Sequence, residues 1–444
     1  MMQILTTDRA AGLRLSLADL DLPARTGRED FVRRALGTPV DPVVHEFLAR
    51  HATGIDVSDE FVRVVTHFAT PEGHTPAGFR RELGLQHGTV VVDLQRDIGC
   101  GEDGRDRPTK VLYSADSANP YEIEPIAPFV ANLTCNPGII YDLFLHNPEA
   151  NVGGAFTNRD EVLAEIGRIL GPGCDISVEL NNPFEPDFSR IVEEAARFRE
   201  LLSPYRVVIK VPHTGPVNMS NVDQLFDGDK RLDVRYSSGT TEDRLRGHNL
   251  ALKLGDEGFR VNFTLMFEPH QSALALQVRP AYINAFIRHR KLQTERIAGL
   301  LTSHEVTDDP AFLTELRSYM VSTDYLSSRE TDLDLASVES LARDVLHIRG
   351  VENLDAVGDG LDSGRHALRV LRASNLPDTR LILCSMEGGL NYPDVDRMLM
   401  EPEFEDMIDR VVVTAEPQYL ARFTSTNQVV SYQRRFMTAA RGQT

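Results

Sequence analysis

Between residues 109 and 415 short apolar runs alternate with longer amphipathic stretches. The apolar runs are KVLYSAD (110–116), VANLTCN (130–136), DISVEL (175–180) and RVVIKV (206–211), then RVNFTLMF (260–267), YINAFI (282–287), RLILCSM (380–386) and RVVVTA (410–415). Short runs rich in branched and aromatic residues predict strands covered on both faces. Between them, SRIVEEAARFRELL (189–202) places Ile191, Val192, Ala195, Phe198, Leu201 and Leu202 on one helical stripe. TEDRLRGHNLALKLGDEGF (241–259) does the same with Leu245, Leu250, Leu252 and Leu254, and Gly258 marks a helix stop. Parallel neighbours need a crossover helix, and eight strands close a barrel, so the predicted fold is α/β, a (β/α)8 TIM barrel.

The remainder organises around that barrel. Residues 1–108 predict an N-terminal extension that is mainly helical (DFVRRAL, PVVHEFLARH, SDEFVRVVTHF), with one strand at TVVVDLQ (89–95) and a turn-rich linker GCGEDGRDRP (99–108). The barrel is expected over 109–430 with an insertion at about 291–375, and 431–444 reads as a C-terminal tail.

Within the strands, side-chain parity separates two faces. Val208 and Lys210 share a face opposite Val207, Ile209 and Val211. Ser114 and Asp116, then Asn132, Thr134 and Asn136, then Ser177 and Glu179, Asn262 and Thr264, and finally Asn284 each occupy the polar face of their own strand. A strand buried on both sides should be continuously apolar, and six consecutive strands here are not. The breaks fall mostly toward the strands' C-terminal halves, where barrel active sites sit. Asp116, Asn136, Glu179, Lys210, Thr264 and Asn284 are therefore expected to converge on one pocket. A lone strand lysine more often lies at an edge or snorkels, and a lone Asn or Thr more often caps a loop; matched parity on six strands outweighs those readings. An apolar wall should depress the lysine pKa and free an amine able to form a Schiff base with a carbonyl, with neighbouring carboxylates as acid and base. That chemistry needs no metal and no cofactor.

These residues resemble the transaldolase family. ADSANPYEIEPI and ANLTCNPGII match its opening Asp strand and T-x-N-P segment, ISVEL its glutamate strand and RVVIKVPHTG its lysine strand. EGFRVNFTLMFEPHQSALAL is similar to its next block, and the resemblance is strong over 109–290 and weaker through the last two strands. It implies Lys210 as the Schiff-base lysine, Asp116 as base and acid at the bond being cleaved, and Glu179 and Thr264 as holders of the water of carbinolamine formation and loss. It also implies Thr134, Asn136 and Asn262 around a dihydroxyacetone unit passed to an aldose phosphate, and a place in carbohydrate metabolism of the pentose phosphate type. INAFIRH departs from the family by carrying Asn284 for a serine and His289 for a phosphate-gripping arginine, with Arg288 and Arg290 flanking as substitutes. CSME carries Glu387 where the family has a second arginine, turning attraction to a phosphate into repulsion. Three readings follow: ketol transfer between sugars or sugar phosphates, a class I aldolase on a non-phosphorylated or unusual sugar, or a barrel without turnover that serves as a binding partner.

Charge narrows the partners. The chain has 47 basic and 66 acidic residues, a formal charge of −19, which excludes broad binding to nucleic acid or an anionic membrane and leaves a small-molecule sugar. A homo-oligomer is compatible with the sequence. No run of about 18 apolar residues or secretory pattern is present. The four cysteines (Cys100, Cys135, Cys174 and Cys384) lie far apart, which fits a reduced cytoplasmic protein better than a disulfide scaffold or a zinc site. GDGLDSG (358–364) has neither the spacing of a dinucleotide fingerprint nor that of a calcium loop. His45 and His51 are mis-spaced for a helical zinc pair, and His213 reads as a residue of the barrel mouth or a plain loop histidine.

Overall fold

The computed structural model describes residues 2–4, 15–203, 205–351, 358–385, 391–422 and 424–442. The N-terminal region contains β1 (Met2–Ile4), β2 (Leu15–Ser16), β3 (Pro39–Val40), β4 (Gly54–Val57), β5 (Phe79–Gln86) and β6 (Thr89–Arg96), with α1 (Glu29–Ala35), α2 (Pro42–His51) and α3 (Asp59–His67). Its sheet runs β1-β5-β6-β4, antiparallel except for the β4–β6 pair. The expected helices are present, and beside them stands a four-stranded sheet where the sequence predicts a single strand. Arg80, Arg81 and Glu82 break the apolar pattern of β5, so its half-buried alternation was hidden from a search for apolar runs. The turn is clear in retrospect: His87 and Gly88 both have positive φ, the conformation that closes a two-residue hairpin. Phe61, Val64, Phe79, Leu83, Val90 and Val92 give this region a core of its own.

Eight parallel strands then close the barrel: β7 (Leu112–Asp116), β8 (Asn132–Cys135), β9 (Asp175–Glu179), β10 (Val207–Pro212), β11 (Val261–Thr264), β12 (Tyr282–Phe286), β13 (Arg380–Cys384) and β14 (Val411–Ala415). Helices α4 (Pro120–Ile123), α5 (Arg159–Leu170), α6 (Phe188–Leu202), α7 (Thr241–Asp256) and α8 (Gln271–Ala275) connect the first six strands. Apolar residues of the outward faces, such as Leu133, Ile176, Ile209, Phe263 and Ile283, pack beneath these helices.

The N-terminal region plugs the barrel floor. Ile98 is buried inside the barrel with Leu112, Val208, Tyr282, Ile382 and Val412. Asp175, fully buried, accepts from the Tyr282 hydroxyl at 2.5 Å and pairs with Arg96 at 2.7 Å and Arg260 at 2.8 Å. Those cations hold its carboxyl far below the usual carboxylate range even though burial pushes the other way. Segment 99–108, read as a linker, is fastened: Arg107 donates to the carbonyls of Ile98 and Gly173, both at 2.8 Å. Among the described residues, this packing closes the barrel at the strands' N-terminal ends.

After β12 come α9 (Ile287–Thr307), α10 (Ala311–Ser322) and α11 (Leu335–Ile348), which share a separate core of Ile297, Leu301, Leu313, Leu316, Val338 and Ala342. The insertion expected at 291–375 is narrower than that. Helix α12 (Asp362–Arg372) returns to the barrel as a regular layer helix, with Ala367, Leu368 and Leu371 in the main core. Gly364 allows the approach, since a Cβ there would lie 3.1 Å from the Leu383 side chain. Two short helices follow, α13 (Asn391–Leu399) and α14 (Pro417–Arg422). The expected tail belongs to α15 (Asn427–Ala440), a helix whose N-terminus is capped by Thr426. No helix among the described residues is long and apolar enough to cross a membrane.

Candidate active site

Register places the polar face. Lys210 on β10 lies level with Glu179 on β9 and Asn262 on β11, and Asp116 on β7 lies level with Thr134 on β8. All five point into the barrel near its open end. Lys210 Nζ stands 3.3 Å from Glu179 Oε2, with side-chain exposures of 7% and 14%. Burial pulls the lysine pKa down, but the carboxylates of Glu179 and Asp116 more than offset it, and the amine is held above an ordinary lysine. This reverses the expectation of a depressed pKa. The resting side chain is an ammonium whose proton has an acceptor beside it.

On the neighbouring strands Thr134 Oγ1 donates to Asp116 Oδ1 at 2.7 Å, which fixes that carboxylate toward the interior. One layer deeper, Asn132 donates to Ser114 Oγ at 2.9 Å and accepts from Ser177 Oγ at 3.4 Å. On the opposite wall Asn284 spends both ends of its amide. Its Nδ2 donates to Asn262 Oδ1 at 2.5 Å and to the Phe263 carbonyl at 3.1 Å, and its Oδ1 accepts from Thr264 Oγ1 at 3.4 Å. Asn284 thus orients Asn262 and Thr264 within the wall. Among the described residues, Asn262 Nδ2 is buried with no partner, as is Thr414 Oγ1 on β14. Unspent buried groups of this kind await a ligand or water.

The rim differs more from expectation. Asn136 Oδ1 accepts from the Ile139 backbone at 2.9 Å, so this end of its amide caps the following turn. His289 is exposed at the mouth, its Nδ1 2.9 Å from Ser385 Oγ and its ring edge-on to Phe267. Ser385 and Leu265 both adopt positive φ just past their strands, a costly backbone for residues with a Cβ. Arg288 sits beside them, its backbone N–H bonded to the Ser385 carbonyl at 3.0 Å. Arg290, expected as a substrate-binding cation, is corrected: it is buried and paired with Glu268 and Asp362. Arg349 of the insertion grips the same Glu268 at 2.6 Å. Glu387 lies outside the described residues. Sequence reasoning missed Thr414, whose alternation in VVVTA matched the other strands, and Ser385, for which no sequence signal stood out.

His213 follows β10 and packs against Phe263 and His248, at ring distances of 4.6 and 5.1 Å. It backs the lysine strand without entering the pocket's hydrogen bonds. Among the described residues no group of three or more His, Cys, Asp or Glu could hold a metal.

An eight-stranded parallel barrel with a buried lysine, a carboxylate on the adjacent strand and a second one three strands away has the fold and the groups of a class I aldolase-type enzyme. Residues 113–320, a little under half of the chain, match the family Transaldolase/Fructose-6-phosphate aldolase. That stretch runs from within β7 into α10, and the chain is similar to the family over those residues. No curated protein matches the chain at the level of sequence.

Proposed function

We propose that the protein cleaves and transfers a ketol unit through a Schiff base on Lys210. The observation carrying this reading is the Lys210–Glu179 pair set level with Asn262, with Asp116 two strands from Glu179 and three from Lys210. Lys210 Nζ, its proton passed to Glu179, attacks a ketone carbon. The N–C bond forms, the carbonyl oxygen takes up a proton, and the carbinolamine then expels that oxygen as water, with Thr264 beside the departing group. Asp116 accepts the proton of the hydroxyl on the carbon being released. The carbon–carbon bond breaks, its electron pair moves into the iminium to give an enamine, and an aldehyde departs. Reversal on a second aldehyde completes the transfer. Asn262 Nδ2 supplies a donor to the retained three-carbon unit, with Thr134 and Asn136 nearby.

A second reading, a class I aldolase on a non-phosphorylated sugar, is favoured by the rim. Arg290 is neutralised by Glu268 and Asp362, and a histidine stands at the neighbouring position. Here the enamine is protonated and hydrolysed instead of meeting an acceptor. Borohydride reduction in the presence of a ketose tests both. A covalent adduct on Lys210, lost in Lys210→Ala, is expected; no adduct with fructose 6-phosphate, fructose or dihydroxyacetone would overturn the Schiff-base reading. Trapping fructose in preference to its phosphate would favour the second reading over the first.

A further inference from the structure

Strand register places one buried side chain that the reaction leaves unused. Alternate strands of a parallel barrel contribute the side chains of each interior layer. Lys210 on β10 is level with Asn262 and through it with Tyr282, two residues before Asn284 on β12. Asn284 is level with Ile382 and through it with Val412, two residues before Thr414 on β14. Thr414 leads in the same way through Ser114 and Asn132 to Thr134 on β8, and Thr134 through Ser177 and Val208 back to Lys210. The equal steps close the circuit, so Lys210, Asn284, Thr414 and Thr134 form one layer, with Thr414 on the strand opposite the lysine. The same stepping from Glu179 gives Thr264, Cys384 and Asp116 as the layer toward the mouth. The layer beneath the lysine holds Ser177, Asn262, Ile382 and Ser114.

Within the lysine's layer the other polar groups are spent on neighbours. Thr134 donates to Asp116 at 2.7 Å, and Asn284 bonds Asn262, Thr264 and the Phe263 carbonyl. Thr414 is 1% exposed, and among the described residues its Oγ1 has no partner. Asn262 Nδ2, one layer deeper and fully buried, is in the same state. A buried hydroxyl or amide without a partner is a cost to the fold. Two of them in adjoining layers of one interior mark where a polar atom of a ligand sits.

We infer that Thr414 is the specificity contact for the terminal hydroxymethyl group of the ketone held on Lys210, an assignment that rests on the Schiff-base reading. The bond to be cleaved must face Asp116 in the mouth layer, so the other carbon attached to the carbonyl points across and down from the lysine. There its oxygen accepts from Asn262 Nδ2 and donates to Thr414 Oγ1, which satisfies both groups at once. A methyl at that carbon would leave both unpaired, and a site built on such hydrogen bonds rejects the analogue that lacks the hydroxyl. A phosphorylated terminus is rejected as well, because Lys210 is the single cation in these three layers. The donor class is therefore a ketose or small ketone with a free hydroxymethyl beside its carbonyl.

Trapping with cyanoborohydride, read by mass spectrometry of the intact chain, tests this with dihydroxyacetone and hydroxyacetone as probes. Wild type is expected to form the adduct with dihydroxyacetone roughly tenfold faster than with hydroxyacetone or better. Thr414→Val should lower that preference by about tenfold, while Thr414→Ser, which restores a hydroxyl, keeps it. Valine fills the same volume without the orphaned hydroxyl, so Thr414→Val should also raise the melting temperature of the unliganded protein. Equal trapping of the two ketones by wild type, or an unchanged preference in Thr414→Val, overturns the inference and leaves the Lys210 chemistry standing. So does a lowered melting temperature, which would mean that the fold itself uses the hydroxyl. No adduct from either ketone overturns the Schiff-base reading and this assignment with it.

Discussion

The pairing of Lys210 with Glu179 should be measurable as a coupling energy. At 3.3 Å, two unit charges attract by about 5 kcal/mol at an effective dielectric of 20 and by about 1.3 kcal/mol in bulk water. The low exposure of both side chains puts the pair near the first figure. Asp116 remains in electrostatic reach of the lysine when Glu179 is removed, so a coupling of about 2–4 kcal/mol is expected. The cycle compares wild type, Lys210→Met, Glu179→Gln and the double variant by urea unfolding at pH 7.5. The chain has no tryptophan, so far-UV circular dichroism is the suitable signal. Each single variant leaves one charge without its main partner; the double variant leaves neither. A raised lysine pKa stabilises the fold fully below the unfolded value of about 10.4 and loses that contribution only as pH rises through the folded value. The coupling should therefore be level from pH 7 to pH 9. A coupling under about 0.5 kcal/mol, as for an exposed surface pair, would refute the buried ion pair and with it the ready proton acceptor assigned to Glu179.

Acid should act through His213. Burial drives its pKa down to about 3, so between pH 6.5 and 3 the unfolded chain takes up a proton that the folded one refuses, and stability falls as pH falls. His213→Phe, which keeps a ring against Phe263, should narrow the drop in melting temperature between pH 7.5 and 4.5; an unchanged drop would contradict the assignment. Glu268→Gln should leave Arg349 buried without a carboxylate and cost about 3 kcal/mol. Limited proteolysis should then cut the segment 310–350 faster, and unchanged cleavage would show that the ionic knot does not hold the insertion down.

The parity of polar residues made the active end of the barrel legible, because a parallel barrel strand has no other reason to carry Asp, Glu, Lys and Asn on a single face. What parity cannot supply is register. Sequence neighbours alone give the lysine pKa the wrong sign, because the residues adjacent to Lys210 in the chain are apolar. Glu179, which reverses their effect, comes level with Lys210 only through strand pairing. The same blindness applies to β5, where Arg80, Arg81 and Glu82 mask a half-buried strand.

Arg290 carries the argument furthest. In sequence it is a spare cation one place from His289, available to a phosphate. In the fold it is the middle of a four-residue knot, because Glu268 after β11, Asp362 at the start of α12 and Arg349 after α11 meet it from three other elements. A guanidinium already sharing two carboxylates has little attraction left for a phosphate dianion, and separating it would strand buried charge. The knot therefore couples two features of this chain that were separate in sequence, the added helices and the altered rim. The insertion is anchored by the cation that might have gripped a phosphate. What remains at the mouth is Ser385 beside His289, Arg288, and the aromatic pair Phe267 and Phe286, whose rings lie 4.7 Å apart. Hydroxyl, imidazole and ring faces suit a polyol end better than a phosphate. The groups inside the barrel thus suit class I aldolase-type chemistry, while Arg290 at its outer end is taken up by the ionic knot.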